Sequence, residues 1–181
     1  MKTYDYDLDL GLMQLKKRKS RRKLLAGILL WCICIWGCFH WMYGISVIQG
    51  NSMRPSFHSG DLVLYKRGVP ETLSYGDVLI LQDWLDEKKH YVKRVQGVPG
   101  DVLEIDEKGY LVRNGLEIKE PEIMHGYQQP DSYVKFPFEV KDGTYFCLGD
   151  NRPVSLDSRV FGTVDKKQIS GKVIALIRIG I

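Results

Sequence analysis

The sequence predicts a mostly β protein, in which a barrel-like antiparallel β domain follows one N-terminal transmembrane helix. Residues 24–48 contain no Asp, Glu, Lys or Arg, and about 20 apolar residues cross a bilayer core as a helix. After residue 48, short apolar runs alternate with turns rich in Gly and Pro, a pattern typical of barrels and sandwiches. No stretch there shows a convincing helical period, and residues 49–181 are enough for one sizeable core.

Residues 1–23 form a basic arm before the apolar run. Most of its positive charge lies between Lys16 and Lys23, whereas the chain just after the run is poor in Lys and Arg. Because positive flanks stay on the cytoplasmic side, this asymmetry predicts a cytoplasmic arm, one span of the cell membrane over 24–48 and an extracytoplasmic domain over 49–181. A cleaved signal peptide is the competing interpretation, but it would have a shorter apolar core and a small-x-small site after it.

The charge balance argues against a nucleic-acid partner. Residues 1–48 hold 8 Lys and Arg against 3 Asp, and residues 49–181 hold 18 against 19 Asp and Glu. The net charge of +4 therefore comes from the arm, and the outer domain has no basic excess for phosphates. Attraction of the arm to anionic membrane lipid is the simpler explanation.

Apolar runs of the outer domain are predicted as its strands: 62–65, 78–81, 91–95, 102–105, 110–112, 144–148 and 172–177. The segment from about 106 to 142 is richer in charge, Pro and Gln, which predicts a smaller insertion between core strands. The apolar run 169–181 holds Lys172 and Arg178 and is short, which favours a core strand over a second membrane span.

The cysteines predict neither a disulfide nor a metal site. Cys32, Cys34 and Cys38 lie in the apolar run, which leaves Cys147 as the single cysteine of the outer domain. One cysteine forms no internal disulfide, and no spacing typical of metal ligands occurs, so no metal site is expected. Cys147 stands among apolar residues and is predicted at a buried strand position.

The most informative segment is the short loop that begins at Gly50. It contains Ser52 and Pro55 and starts directly after the predicted span, which ends at Ile48. The chain between Ile48 and Ser52 reaches about 15 Å at most, so chemistry at this hydroxyl would take place at the membrane surface.

A serine hydroxyl needs a base before it can act as a nucleophile. The outer domain offers three histidines in polar, loop-like surroundings: His58, His90 and His125. A Ser-His-Asp arrangement stays open, because triad partners meet in space and not in sequence.

Lys93 is the stronger candidate base. Alternation along strand 91–95 places it on one face with Tyr91 and Val95, so it is a candidate for burial. Burial disfavours the ammonium form and lowers the pKa of a lysine, and the adjacent Arg94 charge would act in the same direction. The competing interpretation is a lysine whose stem packs while its ammonium reaches solvent.

A third polar block covers residues 149–159, GDNRPVSLDSR. Short polar side chains at this density predict a turn-rich loop that is bonded to itself. Its Asp and Arg residues could also form a rigid support, and one of its serines could hold a lysine amine in place.

These three blocks together resemble the type I signal peptidases, membrane-anchored Ser/Lys proteases, in their short Gram-positive-like form. The family pattern is Ser-Met-x-Pro, then Lys-Arg-Val-x-Gly-x-Pro-Gly-Asp, then Gly-Asp-Asn-Arg-x-x-Ser-x-Asp-Ser-Arg. The chain has them at residues 52–55, 93–101 and 149–159, and the resemblance extends over roughly 24–181. It implies a β catalytic domain without metal or cofactor.

The resemblance implies Ser52 as the nucleophile, Lys93 as the general base and Ser155 as the group that orients the Lys93 amine. The Ser52 backbone N–H would donate to the oxyanion. Part of the family has a second donor, a serine hydroxyl, two positions before the nucleophile, where this chain has Gly50.

The same resemblance implies a salt bridge between Asp157 and Arg159 that braces the third block, with Asp150 and Arg152 in supporting roles. The implied substrate is the signal peptide of an exported preprotein, which would lie extended beside an edge strand. Small leader residues would enter shallow apolar pockets, and the expected substrate-binding residues are Ile48, Gly50, Met53, Tyr91 and Val92.

Three other classes compete with this interpretation. Self-cleaving repressor-type proteases share the catalytic fold, but the membrane anchor counts against them. Penicillin-binding proteins have Ser-x-x-Lys, which occurs at 20–23 and 132–135, but no Lys-Thr-Gly follows either match. A dedicated or inactive surface module that binds leaders or pilus-type subunits would tend to lack Ser52 or Lys93, and both are present.

Overall fold

The computed structural model describes residues 3–82, 90–120, 123 and 134–178. They form two compact units, one that ends at Met42 and one that begins at Tyr43. The first unit is helix α1 (Thr3–Met42), and its segment Lys16–Met42 is long and apolar enough to cross a membrane once. The predicted basic arm is therefore helical from Thr3 onward and continuous with the apolar segment.

Helix α1 ends at Met42, six residues before the predicted end of the span at Ile48. Tyr43–Val47 instead form strand β1, which pairs antiparallel with β2 (Leu62–Arg67), and Ile48 is buried in the core of the second unit. The Ile and Val of this stretch favour strands over helices, and Ile45 and Val47 stay exposed on β1. Counting apolar residues could not separate a membrane helix from the strand directly after it.

The second unit contains eleven strands and two short helical segments within the described residues. After β1 and β2 come β3 (Val78–Gln82), β4 (His90–Gly97), β5 (Val102–Ile105), β6 (Leu111–Arg113), β7 (Leu116–Glu117), β8 (Phe138–Glu139), β9 (Thr144–Leu148), α2 (Ser158–Phe161), β10 (Val164–Asp165), a 3-10 turn (Lys166–Gln168) and β11 (Ile169–Ile177).

The main sheet has seven strands in the order β1-β2-β11-β3-β4-β9-β10, and all its pairings are antiparallel. This confirms the predicted mostly β fold behind one N-terminal apolar helix. Strands β1 and β10 each have one unpaired edge among the described residues, so "barrel-like" is a loose description. The short strands β1, β7, β8 and β10 were not predicted.

A smaller sheet has the order β7-β6-β5-β8. Three of its strands, β6 to β8, come from the segment predicted as an insertion, and they assemble on β5. Most of the chain between Glu120 and Val134 lies outside the described residues. Glu120 itself extends from this region towards the main sheet, as described below.

The predicted strands of the main sheet are confirmed, and two-sided burial explains why β3 and β9 are continuous apolar runs. In β3, Leu79 and Leu81 enter one core with Cys147, whereas Val78 and Ile80 enter another beneath the β1–β2 loop. A short run buried on both faces shows no polar alternation. Strand β11 lies between β2 and β3 as expected for a core strand, although its side chains are exposed over 174–177.

Candidate active site

The loop between β1 and β2, residues 49–61, carries Ser52 and is called the nucleophile loop after the role predicted for that serine. Its two ends are joined by backbone hydrogen bonds: Ile48 N–H donates to Asp61 at 2.8 Å, and Gly60 N–H donates to Ile48 at 2.9 Å. Met53 and Phe57 bury their side chains in the core below. Ser52 is thus fixed between two closed ends and an apolar anchor, and it stays half-exposed.

Residues 149–159 form the second loop of the site, called the support loop. It contacts the nucleophile loop through Asn151, whose backbone N–H donates to the Ser52 carbonyl at 2.9 Å and whose Nδ2 donates to the Asn51 carbonyl at 3.1 Å. Gly149 makes this approach possible, because a Cβ there would lie 2.5 Å from the Ser52 carbonyl oxygen.

Strand β4 brings Lys93 to Ser52. The Lys93 Nζ donates a hydrogen bond to Ser52 Oγ at 3.1 Å, and only 2% of the Lys93 surface is exposed. Tyr91 and Val95, its neighbours on the same strand face, pack in one core, while Val92 packs in the core beneath the nucleophile loop. The predicted alternation along β4 is therefore confirmed, and Lys93 does not reach out to solvent.

Burial lowers the pKa of Lys93 from 10.5 to about 8, because the ammonium has lost most of its water. The Asp157 carboxylate opposes this change, and the Arg159 charge supports it. The sequence predicts that the Arg94 charge lowers the pKa of Lys93, but the arginine that does so is Arg159. Arg94 points away from Lys93 and is neutralised by Asp150, with contacts of 2.8 and 2.5 Å.

Asp157 and Arg159 form a buried ion pair inside the support loop. Arg159 donates to both carboxylate oxygens of Asp157, at 2.8 and 2.9 Å, and also to the carbonyl of Arg152 at 2.6 Å. Asp157 in turn accepts from the Gly149 N–H at 3.0 Å and caps α2. The pair therefore ties the two ends of the loop together.

Ser155 is completely buried in the support loop. Its hydroxyl packs against Gly149, where a Cβ would overlap it. The orienting role of Ser155 towards the Lys93 amine stays a prediction.

Two predicted supporting residues have partners that the sequence did not indicate. Asp150 pairs with Arg94, and Arg152 pairs with Glu120 at 2.7 Å and donates to the Gly149 carbonyl at 3.1 Å. Glu120 also accepts from Gln96 of β4 at 2.5 Å, so it links the strand of Lys93 to the support loop. No motif marks Glu120, because the contact joins distant parts of the chain. Asn151 belongs to the third block, but its hydrogen bonds to the nucleophile loop could not be predicted from the sequence.

Two cavities meet at Ser52. The first, of about 420 Å³, lies between the end of β1 and the start of β4, and four of the five predicted substrate-binding residues line it: Ile48, Met53, Tyr91 and Val92. The second, of about 560 Å³, extends from Ser52 and Lys93 to the support loop, and the fifth predicted residue, Gly50, lines it.

The histidines do not form a base for Ser52 within the described chain. The hydrogen-bond partner of Ser52 Oγ there is Lys93. His58 is half-buried in the nucleophile loop, His90 lines the first cavity, and His125 lies outside the described residues. Among the described residues, no group of three His, Cys, Asp or Glu side chains could hold a metal ion.

Comparison with known proteins is consistent with this geometry. A family model described as "Signal peptidase, peptidase S26" matches residues 21–177. The chain is 38% identical to signal peptidase I of Bacillus licheniformis over 136 residues, 69% of this chain and 71% of that protein. It is 38% identical to signal peptidase IB of Staphylococcus aureus strain COL over 146 residues, 70% of this chain and 73% of that protein.

A solved structure of a signal peptidase I from Enterococcus faecalis V583 also resembles the chain. The TM-score is 0.47 at 25% identity, over 59% of this chain and 100% of that one. The family match covers most of the sequence, including all three polar blocks, and the two relatives agree with it. The chain therefore belongs to the signal peptidase family, peptidase S26.

Proposed function

We propose that this chain is a serine endopeptidase that removes N-terminal signal peptides from exported preproteins at the outer membrane surface. Ser52 is the nucleophile and Lys93 the general base. The observation that carries the proposal is the 3.1 Å contact between Lys93 Nζ and Ser52 Oγ, together with the burial of Lys93. Membership of the family supports signal-peptide removal as the reaction.

The lowered pKa of Lys93 suits it to act as a base. With a pKa of about 8, a useful fraction of the amine is neutral near physiological pH, and its lone pair can accept the Ser52 proton. The Ser52 oxygen then attacks the scissile carbonyl, and the Lys93 ammonium protonates the mature chain's amine as it leaves, which gives an acyl-enzyme and restores the neutral lysine. A water molecule, deprotonated by the same lysine, releases the leader.

The oxyanion of the tetrahedral intermediate needs donors near Ser52. The Ser52 backbone N–H makes no hydrogen bond to any described residue, so it is available to donate. Gly50 brings no side-chain donor, and its φ of 87° lets the chain turn in front of the nucleophile. The oxyanion site of this chain therefore relies on backbone N–H groups.

The leader is proposed to bind in the first cavity as an added strand. Strand β1 is an edge of the main sheet, so its unpaired backbone groups can bond an extended peptide. Ile48, Met53 and Val92 give the cavity an apolar floor with room for small side chains. The positive flank of the Lys16–Met42 helix orients the chain with its N-terminus in the cytoplasm and the site outside.

Cleavage of a precursor with a small-x-small site, by the full-length chain in detergent, tests the proposal. Ser52→Ala and Lys93→Met should each abolish cleavage, because each removes one partner of the dyad and keeps the volume of the site. His90→Gln is the matched control, since His90 lines the same cavity without contacting Ser52 Oγ, and it should keep activity. Cleavage that survives Lys93→Met would overturn the dyad. No cleavage by folded wild type across several precursors would favour a module that binds leaders.

A further inference from the structure

Among the described residues that line the second cavity at Ser52, one cation, Arg54, has no partner in the described part of the chain. The cavity runs from Ser52 and Lys93 along Asn151 to the apolar side chains of Val154 and Leu156, and Arg54 lies at its wall. No Asp or Glu is among the residues that line it. The described lining of the cavity therefore carries a permanent positive charge and no carboxylate to balance it.

Arg54 differs in this from the other arginines described from Tyr43 onward. Their guanidinium groups pair with a carboxylate, donate to a backbone carbonyl or stack on a tyrosine: Arg67, Arg94, Arg113, Arg152, Arg159 and Arg178. No described residue accepts a hydrogen bond from the Arg54 side chain. An exposed arginine beside the nucleophile is thus free to bind a group that arrives with the substrate.

The position of Ser52 between the two cavities assigns them to the two sides of the scissile bond. The leader occupies the first cavity in the proposed function, on which this step rests. A chain that continues past Ser52 Oγ must then enter the second cavity with the residues that follow the cut. We propose that Arg54 selects preproteins whose mature part begins with an acidic residue among its first three positions.

The surroundings strengthen the effect of this charge. Val154 and Leu156 expose 58% and 50% of their surfaces beside the cavity, and a bound peptide covers them. Removing water from the wall increases the attraction between a guanidinium and a carboxylate. The same charge repels a lysine at that position, so it discriminates against basic mature N-termini.

The test uses one precursor in three forms. The first three positions after the cut are all Glu in one form, all Gln in the second and all Lys in the third. The full-length chain in detergent should cleave the Glu form with a kcat/KM about two- to fivefold above that of the Gln form, and the Lys form should be lower by a similar factor. Arg54→Gln should bring the three forms to one value, Arg54→Lys should keep the order, and Arg54→Glu should reverse it. Added salt should reduce the preference.

Lys141→Glu is the matched control, because it changes the net charge equally at an exposed lysine that does not line the cavity. It should leave the order of the three forms unchanged. The proposal would be overturned if Arg54→Glu changed kcat/KM by the same factor for all three forms. It would also be overturned if the preference for the Glu form survived Arg54→Gln. Cleavage of the Gln form by wild type tests the peptidase itself, so the two failures are distinguishable. Arg54→Glu that slows all forms only in anionic vesicles would assign Arg54 to lipid instead.

Discussion

The two loops that meet at Ser52 are held in place by different interactions. The nucleophile loop is closed by backbone hydrogen bonds at Ile48 and anchored by the apolar side chains of Met53 and Phe57. The support loop instead contains buried charges that pair with each other, with β4 and with Glu120. One loop is therefore stabilised by packing, the other by electrostatics.

This difference separates the effects of substitutions on stability from their effects on chemistry. A packing defect below the nucleophile loop lowers the stability but leaves the charges around Lys93 as they are. A change in the support loop alters stability and the pKa of Lys93 together, because Asp157 and Arg159 both act on that ammonium. The pH dependence of cleavage is thus the measurement that distinguishes the two loops.

Lys93→Met should give the largest effect and sharpen the comparison. Cleavage should fall by about 10²–10⁴-fold, since the proposed general base is gone. The variant should nevertheless be more stable than wild type by about 3 kcal/mol at pH 7, because the pKa of Lys93 is lowered from 10.5 to about 8 by burial. Urea unfolding of the full-length chain in detergent measures this gain.

The pH dependence of that gain follows from the two pKa values. Between about 8 and 10.5 the unfolded chain binds the lysine proton and the folded chain does not, so wild-type stability rises with pH. The gain of Lys93→Met is therefore full below pH 8 and disappears above about 10.5. Wild-type kcat/KM should rise through pH 8 as the amine becomes neutral. A stability gain independent of pH would contradict burial as the cause.

Asp157→Asn should give the second-largest effect, and it compares the two loops directly. It leaves the buried Arg159 without its carboxylate, which should cost about 3–5 kcal/mol. Met53→Ala is the matched change in the nucleophile loop and should cost about 2–5 kcal/mol by leaving a cavity. Only Asp157→Asn should also move the rise of kcat/KM to lower pH, because Asp157 raises the pKa of Lys93. An equal shift in Met53→Ala would break the distinction between the loops.

The sequence was sufficient to predict the elements of this site that depend on local pattern. Strand alternation placed Lys93 on the buried face of β4, and the density of short polar side chains marked the support loop. The fold class followed from short apolar runs, and β3 and β9 are continuous runs because both their faces are buried. Each of these features is written in neighbouring residues.

The features that the sequence did not reveal depend on contacts between distant residues. The sequence predicts the end of helix α1 too late, because β1 is also apolar and its partner β2 is distant: the register pairs Val47 with Leu62, 15 positions along the chain. The sequence predicts a supporting role for Asp150 but not its partner, because Arg94 comes from β4 and Asp150 from the support loop. Glu120 carries no signal at all, since its partners Gln96 and Arg152 lie 24 and 32 residues away.

Glu120→Gln should give the third-largest effect. It tests whether the support loop depends on a residue outside it. Arg152 loses its buried charge partner, which should cost about 1–3 kcal/mol. A looser support loop admits water to Lys93, so the pKa of Lys93 should increase and the rise of kcat/KM should move to higher pH. This shift is opposite to that of Asp157→Asn. Asp77→Asn is the control, because it removes a more exposed ion pair, with Lys172, that lines neither cavity at Ser52, and it should not move the profile.

Arg178→Gln should give the smallest effect, because the ion pair that the described residues form with the nucleophile loop lies at its edge. Arg178 donates to Asp61 at 2.7 Å but is about half-exposed, and it holds the pKa of Asp61 at about 2. Because the Asp61 pKa is lowered, its carboxylate stabilises the fold above pH 3.8. This stabilisation is lost as pH falls through about 2. The melting temperature at pH 7 should therefore fall slightly, with kcat/KM and its pH profile unchanged. A shift of the profile as large as that of Asp157→Asn would show that charge, and not packing, positions Ser52.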